Sequence, residues 1–171
     1  MSEAADRLAF TALYREHHTR VFRFAIHMTA DRMKATEVTQ DVFVWLIHHP
    51  GAFDPARGEM GAFLIGVARK FLQKLRRTEL KLVPFKESPT RYGERPERAD
   101  TSESEAGELR KAIATLPDRY REAVVLCDLE GMSYEGAAVA LECAVGTIRS
   151  RLHRARGLLA RKLRTQQGCE A

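Results

Sequence analysis

Residues 146–164 carry seven Lys or Arg and no Asp or Glu. Val145, Ile148, Leu152, Ala155, Leu159 and Leu163 recur at i, i+3/i+4 spacing, which makes one apolar helix face. At 100° per residue, Ser150, His153, Arg154 and Gly157 point away from that face, with Arg149 and Arg151 on its flanks. An arginine fork can pair with two acceptors on a guanine edge, and flanking Arg with Thr147 can hold phosphates. Ser133 can cap a short helix over 134–142, and a turn at 142–146 leads into the basic helix. A short helix, a tight turn and a second helix with a basic outer face form the helix-turn-helix arrangement, whose second helix enters the major groove.

A second acid-free stretch, 60–77, presents Arg69, Lys70, Lys74, Arg76 and Arg77 opposite an apolar stripe of Phe63, Leu64, Val67, Phe71, Leu72 and Leu75. The loop before it holds Phe53, Asp54, Pro55, Arg57 and Gly58. Cations beside loop aromatics can hold a single strand with a base turned out of its stack. On physical grounds alone, Phe63 and Phe71 fit a core better than a stacking platform.

The elements that must position these groups are helices. Phe10, Leu13, Tyr14, Val21, Phe22, Ala25 and Met28 give helical periodicity over 10–29; Val38, Val42, Trp45 and Leu46 do so over 33–47. Pro50, Gly51, Pro55 and Gly58 make 49–59 a loop. Helices are expected again at 104–116 and at 117–129, with Pro117 as first residue and Gly131 past the end. No segment alternates as a strand would. Between them, Glu87 to Glu108 has seven acidic and three basic residues, and 80–107 holds three of the six prolines. The expected fold is therefore all-α: two small helical domains, 8–79 and 108–165, on a flexible acidic linker, 80–107.

Composition excludes other classes. The 171 residues carry a formal net charge of +5, which alone is weak evidence for an acidic partner. Cys127, Cys143 and Cys169 are odd in number and form no C-x-x-C pair, so no disulfide framework or cysteine metal site is expected. His17/His18 and His48/His49 are adjacent pairs on different helix faces and cannot readily share an ion. No nucleophile–base constellation, phosphate loop or dinucleotide fingerprint occurs, so neither cofactor nor catalysis is expected. No apolar run reaches the length of a membrane span, and the start lacks a signal-peptide pattern, so a cytoplasmic location is expected.

The segment "SYEGAAVALECAVGTIRSRLHRARGLLARKL" (133–163) resembles region 4 of extracytoplasmic-function (ECF) sigma factors, within the sigma-70 family. "ATEVTQDVFVWL" (35–46) and "FDPARGEMGAFLIGVARKFLQKLRR" (53–77) resemble their region 2. The resemblance implies a protein that is not an enzyme but directs core RNA polymerase to promoters. Region 2 would bind the β′ clamp helices, here through Glu37, Gln40 and Asp41, and melt the −10 element. Phe53, Asp54, Arg57, Phe63, Arg69, Lys70 and Lys74 would meet that DNA. Region 4 would bind the β-flap and the −35 element, with Arg149, Ser150 and Arg154 as readers, His153 beside them, and Thr147 and Arg151 on the backbone. An anti-sigma factor or a Ser/Thr kinase is an expected controller. The alternative left open is a stand-alone helix-turn-helix regulator, which leaves 8–79 without a task.

The sequence departs from the family pattern in three places. The usual acidic D-A-E-D cluster is replaced by Lys34, Ala35, Thr36 and Glu37. Phosphorylation of Thr36 or Thr39 would restore negative charge there; the alternatives are that Glu37 and Asp41 suffice, or that Thr36 merely caps a helix beginning there. Lys70 stands where Asn is frequent, and Glu142 where a turn Gly is usual.

Overall fold

The computed structural model describes residues 3–82 and 105–167, and among these every regular element is helical. The N-terminal helices are α1 (Glu3–Thr29), α2 (Arg32–His48) and α3 (Met60–Leu82), with a 3₁₀ turn at Pro55–Arg57. The C-terminal helices are α4 (Glu105–Ala114), α5 (Asp118–Val124), α6 (Tyr134–Ala140) and α7 (Val145–Gln167), with one π-helical turn, Val125–Leu129, extending α5. Most of the segment expected to be a linker, 83–104, lies outside the described residues.

Local chemistry explains the boundaries. Asp31 caps α2 by accepting from the backbone N–H groups of Met33 and Lys34 at 2.8 and 3.1 Å. The cap is thus Asp31, and Thr36 sits a full turn inside the helix, contrary to the reading of Thr36 as a cap. Ser133 caps α6 as expected, accepting from Gly136 N–H at 3.0 Å. Gly131 takes φ +64 just past the π-turn, a conformation that costs glycine nothing. Pro117 precedes α5 rather than opening it, and its carbonyl accepts from Tyr120 and Arg121. Glu142 has φ +51 in the turn between α6 and α7. A non-glycine residue there costs about 1 kcal/mol relative to glycine.

The apolar stripes meet as the periodicity requires, with two adjustments. Phe24 is fully buried beside Val21, Ala25 and Met28, whereas Phe22 and Trp45 are half-buried. Phe63 and Phe71 are likewise half-buried, while Leu64, Ile65, Ala68 and Leu72 supply the α3 core face.

The two helical groups do not stand apart. Their buried apolar residues form one continuous cluster. At Gly66 of α3 a Cβ would lie 3.3 Å from the carbonyl oxygen of Ala140 in α6, and at Gly58 one would lie 3.2 Å from Val139 Cγ1. These glycines let α3 and its preceding loop approach α6 closely. Arg121 is buried at this seam and donates to the Leu116 carbonyl at 2.9 Å, to the Ala114 carbonyl, and to the Met28 carbonyl across the seam at 3.4 Å.

His27 is held below its ordinary value of 6.5 by burial, then by the nearby charges of Arg23 and Arg110. The unfolded chain therefore takes up a proton at a higher pH than the folded one. Stability from this group is present above pH 6.5 and is lost as pH falls toward the depressed folded value. Melting temperature should drop between about pH 7.5 and about pH 5.5, and His27→Gln should flatten the drop. An identical slope in the variant would exclude His27 as its source.

Candidate nucleic-acid interface

The segment α6–turn–α7 is a helix-turn-helix. Ile148, Leu152, Ala155 and Leu159 bury one face of α7 against Ala137, Ala138, Ala140 and Leu141. That packing turns Arg149, Ser150, His153 and Arg154 to the surface, while Thr147 and Arg151 are half-buried on the shoulders. Ser150 Oγ donates to the Thr147 carbonyl at 3.0 Å, so its hydroxyl is engaged in the helix and retains acceptor capacity. Arg154 hydrogen-bonds the Tyr120 hydroxyl, which with the adjacent Arg119 lowers the phenol's pKa below its ordinary value. Arg119 stacks over the Tyr120 ring at 4.8 Å. Periodicity places Tyr120 on the apolar stripe of this helix, and it is buried there; sequence inspection missed the exposed Arg119 beside it.

The seven cations of α7 do not serve one purpose. Arg156 makes a two-pronged contact with Asp128, at 2.7 and 3.2 Å, and also reaches Tyr134. It fastens α7 to the π-turn. Lys162 is bonded to the Thr115 hydroxyl. Arg149 and His153 are left on the exposed face with Arg154.

In the N-terminal group, Asp54 accepts from Ala56 N–H at 3.0 Å and so shapes the 3₁₀ turn. Phe53 packs on Phe63 with ring centroids 5.5 Å apart, and Phe63 on Trp45 at 6.2 Å. Trp45 stacks on His49 at 4.4 Å. Phe53 and Phe63 are thus half-buried members of an aromatic cluster. Arg57 and Lys74 are exposed. Arg69 and Lys70 are not free: Arg69 Nε lies 2.7 Å from Glu122 Oε1, and Lys70 Nζ 2.7 Å from Glu142 Oε1. Lys70, by hydrogen bond and charge, holds the Glu142 carboxyl below its usual range.

On α2, Thr36, Glu37, Gln40 and Asp41 share one exposed face with Val44 and Ile47. Those two apolar side chains were not singled out by periodicity, although apolar residues off the core stripe were the available signal. Thr36 Oγ1 donates to the Arg32 carbonyl at 2.8 Å and is exposed. Thr39 differs: its hydroxyl is buried and donates to the Ala35 carbonyl at 2.7 Å. A kinase would have to unpack α2 to reach it, which removes Thr39 from the accessible pair. Among the described residues, no cluster of three His, Cys, Asp or Glu can hold a metal, and no helix is long and apolar enough to cross a membrane.

An all-helical chain with a helix-turn-helix at one end and a cation-bearing three-helix group at the other defines a two-part DNA-binding class. Residues 13–80 match the family model of sigma-70 region 2, and residues 106–159 that of sigma-70 region 4. The chain belongs to the ECF sigma factors of the sigma-70 family. It is 32% identical over 148 residues to the ECF RNA polymerase sigma factor SigE of Mycolicibacterium smegmatis, a match covering 84% of this chain but 57% of that protein. It is 30% identical over 137 residues to the sigma factor EcfG of Rhodopseudomonas palustris, covering 80% of this chain and 75% of that one. The sigma factor RpoE of Bartonella quintana, solved in complex with the anti-sigma factor NepR, is similar with a TM-score of 0.70 and 25% identity, over 91% of this chain and 97% of that one. CnrH, solved with the cytosolic domain of CnrY, shares the fold at TM-score 0.67 and 23% identity, over 93% and 90% of the two chains. Members of the family are transcription initiation factors rather than catalysts.

Proposed function

We propose that this chain is an alternative sigma factor that brings core RNA polymerase to its promoters. The observation that carries the reading is the pairing of two exposed surfaces on one chain: the Arg149–Arg154 face of α7 and the Glu37–Ile47 face of α2. The first suits duplex DNA at the −35 element. The second, acidic and apolar, suits the β′ clamp helices of the polymerase. The chain, 8–79 and 108–165 taken as two domains on an acidic linker, gains affinity because each contact raises the effective concentration of the other. Phe53, Asp54, Arg57, Phe63, Arg69, Lys70 and Lys74 form the surface for the −10 strand.

Control through Thr36 fits this reading. The exposed acids of the α2 face are Glu37 and Asp41, with Lys34 a turn away. A phosphate on Thr36 would add about two negative charges to that face without disturbing the core. A Ser/Thr kinase is the controller that this exposure favours. The Bartonella relative was solved with an anti-sigma factor, and a partner of that class is the competing controller.

Run-off transcription with purified core polymerase and a genomic promoter library tests both parts. Promoter-specific transcripts are expected, strengthened several-fold by Thr36→Glu and not by Thr36→Ala. Equal, full activity of the unmodified protein and both variants would exclude the phosphate switch. Failure to join the polymerase, with tight unaided binding to inverted repeats, would favour the stand-alone regulator.

A further inference from the structure

An open cleft of about 320 Å³ lies between α1 and the residues that leave the π-turn, and none of the side chains assigned above to DNA or polymerase lines it. That volume is at the small end of ligand sites, which run from about 300 to 1,000 Å³. Glu16, His17, Arg20 and Arg23 form the α1 wall; Leu129 and Glu130 form the other. Residues 16, 20 and 23 recur at i+4 and i+3, so one face of α1 carries its charges to the cleft. Opposite, the Glu130 N–H donates to the Val125 carbonyl at 2.9 Å, the i→i−5 bond that closes the π-turn and sets Glu130 facing α1.

Two groups in this cleft are unmet. Arg20 is half-buried, and among the described residues it makes no hydrogen bond and no ion pair; it acts on Glu130 only through its field. The Glu130 side chain is 4% exposed. Arg23 Nε lies 2.9 Å from its Oε1, but no donor is aligned on that oxygen as a hydrogen bond requires. Burial raises the Glu130 carboxyl above its usual range although the charges of Arg23 and Arg20 pull the other way. A buried carboxylate oxygen without a donor is costly, and an arriving donor relieves that cost. Arg20 is held in place by what α3 lacks: a Cβ at Gly61 would lie 3.3 Å from its Nη1, so the guanidinium rests against bare backbone.

We propose that this cleft binds a small amino-acid-like zwitterion, its carboxylate on the Arg20 fork and its ammonium against Glu130. Two arginines and two carboxylates line the walls, so their formal charges cancel. A polyphosphate would meet two carboxylates there, and a simple amine two guanidinium groups. A molecule bearing both signs pairs each unmet group with its opposite, and a carboxylate takes two donors from one arginine. The walls belong to different helical groups, so an occupant favours the arrangement in which they touch and ties that equilibrium to the level of a small molecule.

Thermal denaturation of the full chain tests this, with each of the twenty L-amino acids in turn at fixed pH and ionic strength. Acetate and ethylammonium serve as comparators that carry one charge each. At least one amino acid should raise Tm by about 3–5 °C at ten times its Kd, and neither comparator should. Arg20→Gln breaks no described contact of the unliganded chain, so it should melt normally alone and lose the rise. Should it melt abnormally, Arg20→Lys takes its place: lysine keeps the charge without the two-donor fork, and affinity should fall about tenfold. No rise with any amino acid overturns the proposal. So does a rise that a comparator matches, one that Arg20→Gln retains, or an affinity that Arg20→Lys leaves unchanged.

Discussion

Arg121→Ala should lower the free energy of unfolding by about 3–4 kcal/mol, measured by urea denaturation of the full chain. The guanidinium is buried at the junction of α1, α4 and α5 and donates to the carbonyls of Met28, Ala114 and Leu116. Those of Ala114 and Leu116 lie at the α4–α5 corner, where the helical bonding pattern is interrupted. Each buried carbonyl that loses its donor costs about 1–3 kcal/mol, and alanine also leaves a void. Lysine keeps the charge but not the planar fork, so Arg121→Lys should fall between. A loss below about 1 kcal/mol for the alanine variant would mean that water replaces the guanidinium at no cost.

The second large effect concerns DNA. Arg149→Ala should weaken binding of the sigma–polymerase complex to its −35 duplex by roughly 1–3 kcal/mol and relax base preference at one position. Arg149 lies in the second turn of α7, in its N-terminal part, and is exposed, where recognition helices meet base edges. Arg156 supplies the control on the same helix. It is tied to Asp128 at 2.7 Å, so Arg156→Ala should cost little DNA affinity and leave base preference unchanged. Equal losses for the two variants, with unaltered preference, would reduce the role of α7 to bulk charge.

The helices and their inward faces were legible because burial writes a 3.6-residue period into the sequence. The Ser133 cap and the Gly131 turn were legible because each depends on one residue and its immediate neighbours, whereas the left-handed backbone at Glu142 was signalled only by the glycine usual there in the family. The contact between the two helical groups was not. Lys70 and Glu142 are 72 positions apart, and nothing local marks them as partners. Asp118, Arg121 and Glu122 sit in a stretch whose charges read as a solvated face, yet Arg121 and Glu122 are buried. A charge buried against a distant charge has the same one-dimensional pattern as a charge in water. Phe24 was hidden for another reason: Phe22, Phe24, Ala25 and Ile26 are crowded, and spacing alone does not say which ring faces inward. The same limit held for Thr36 and Thr39, three residues apart and on opposite sides of the α2 surface boundary.

The aromatic cluster beside the 53–59 loop contains the chain's one tryptophan. Trp45 is half-buried, stacked on His49 and within 6.2 Å of Phe63. Its intrinsic emission therefore originates from a single point, and that point adjoins the loop through Phe63 and Phe53. The molecule carries a native fluorophore that needs no label and is placed to report rearrangement of this corner.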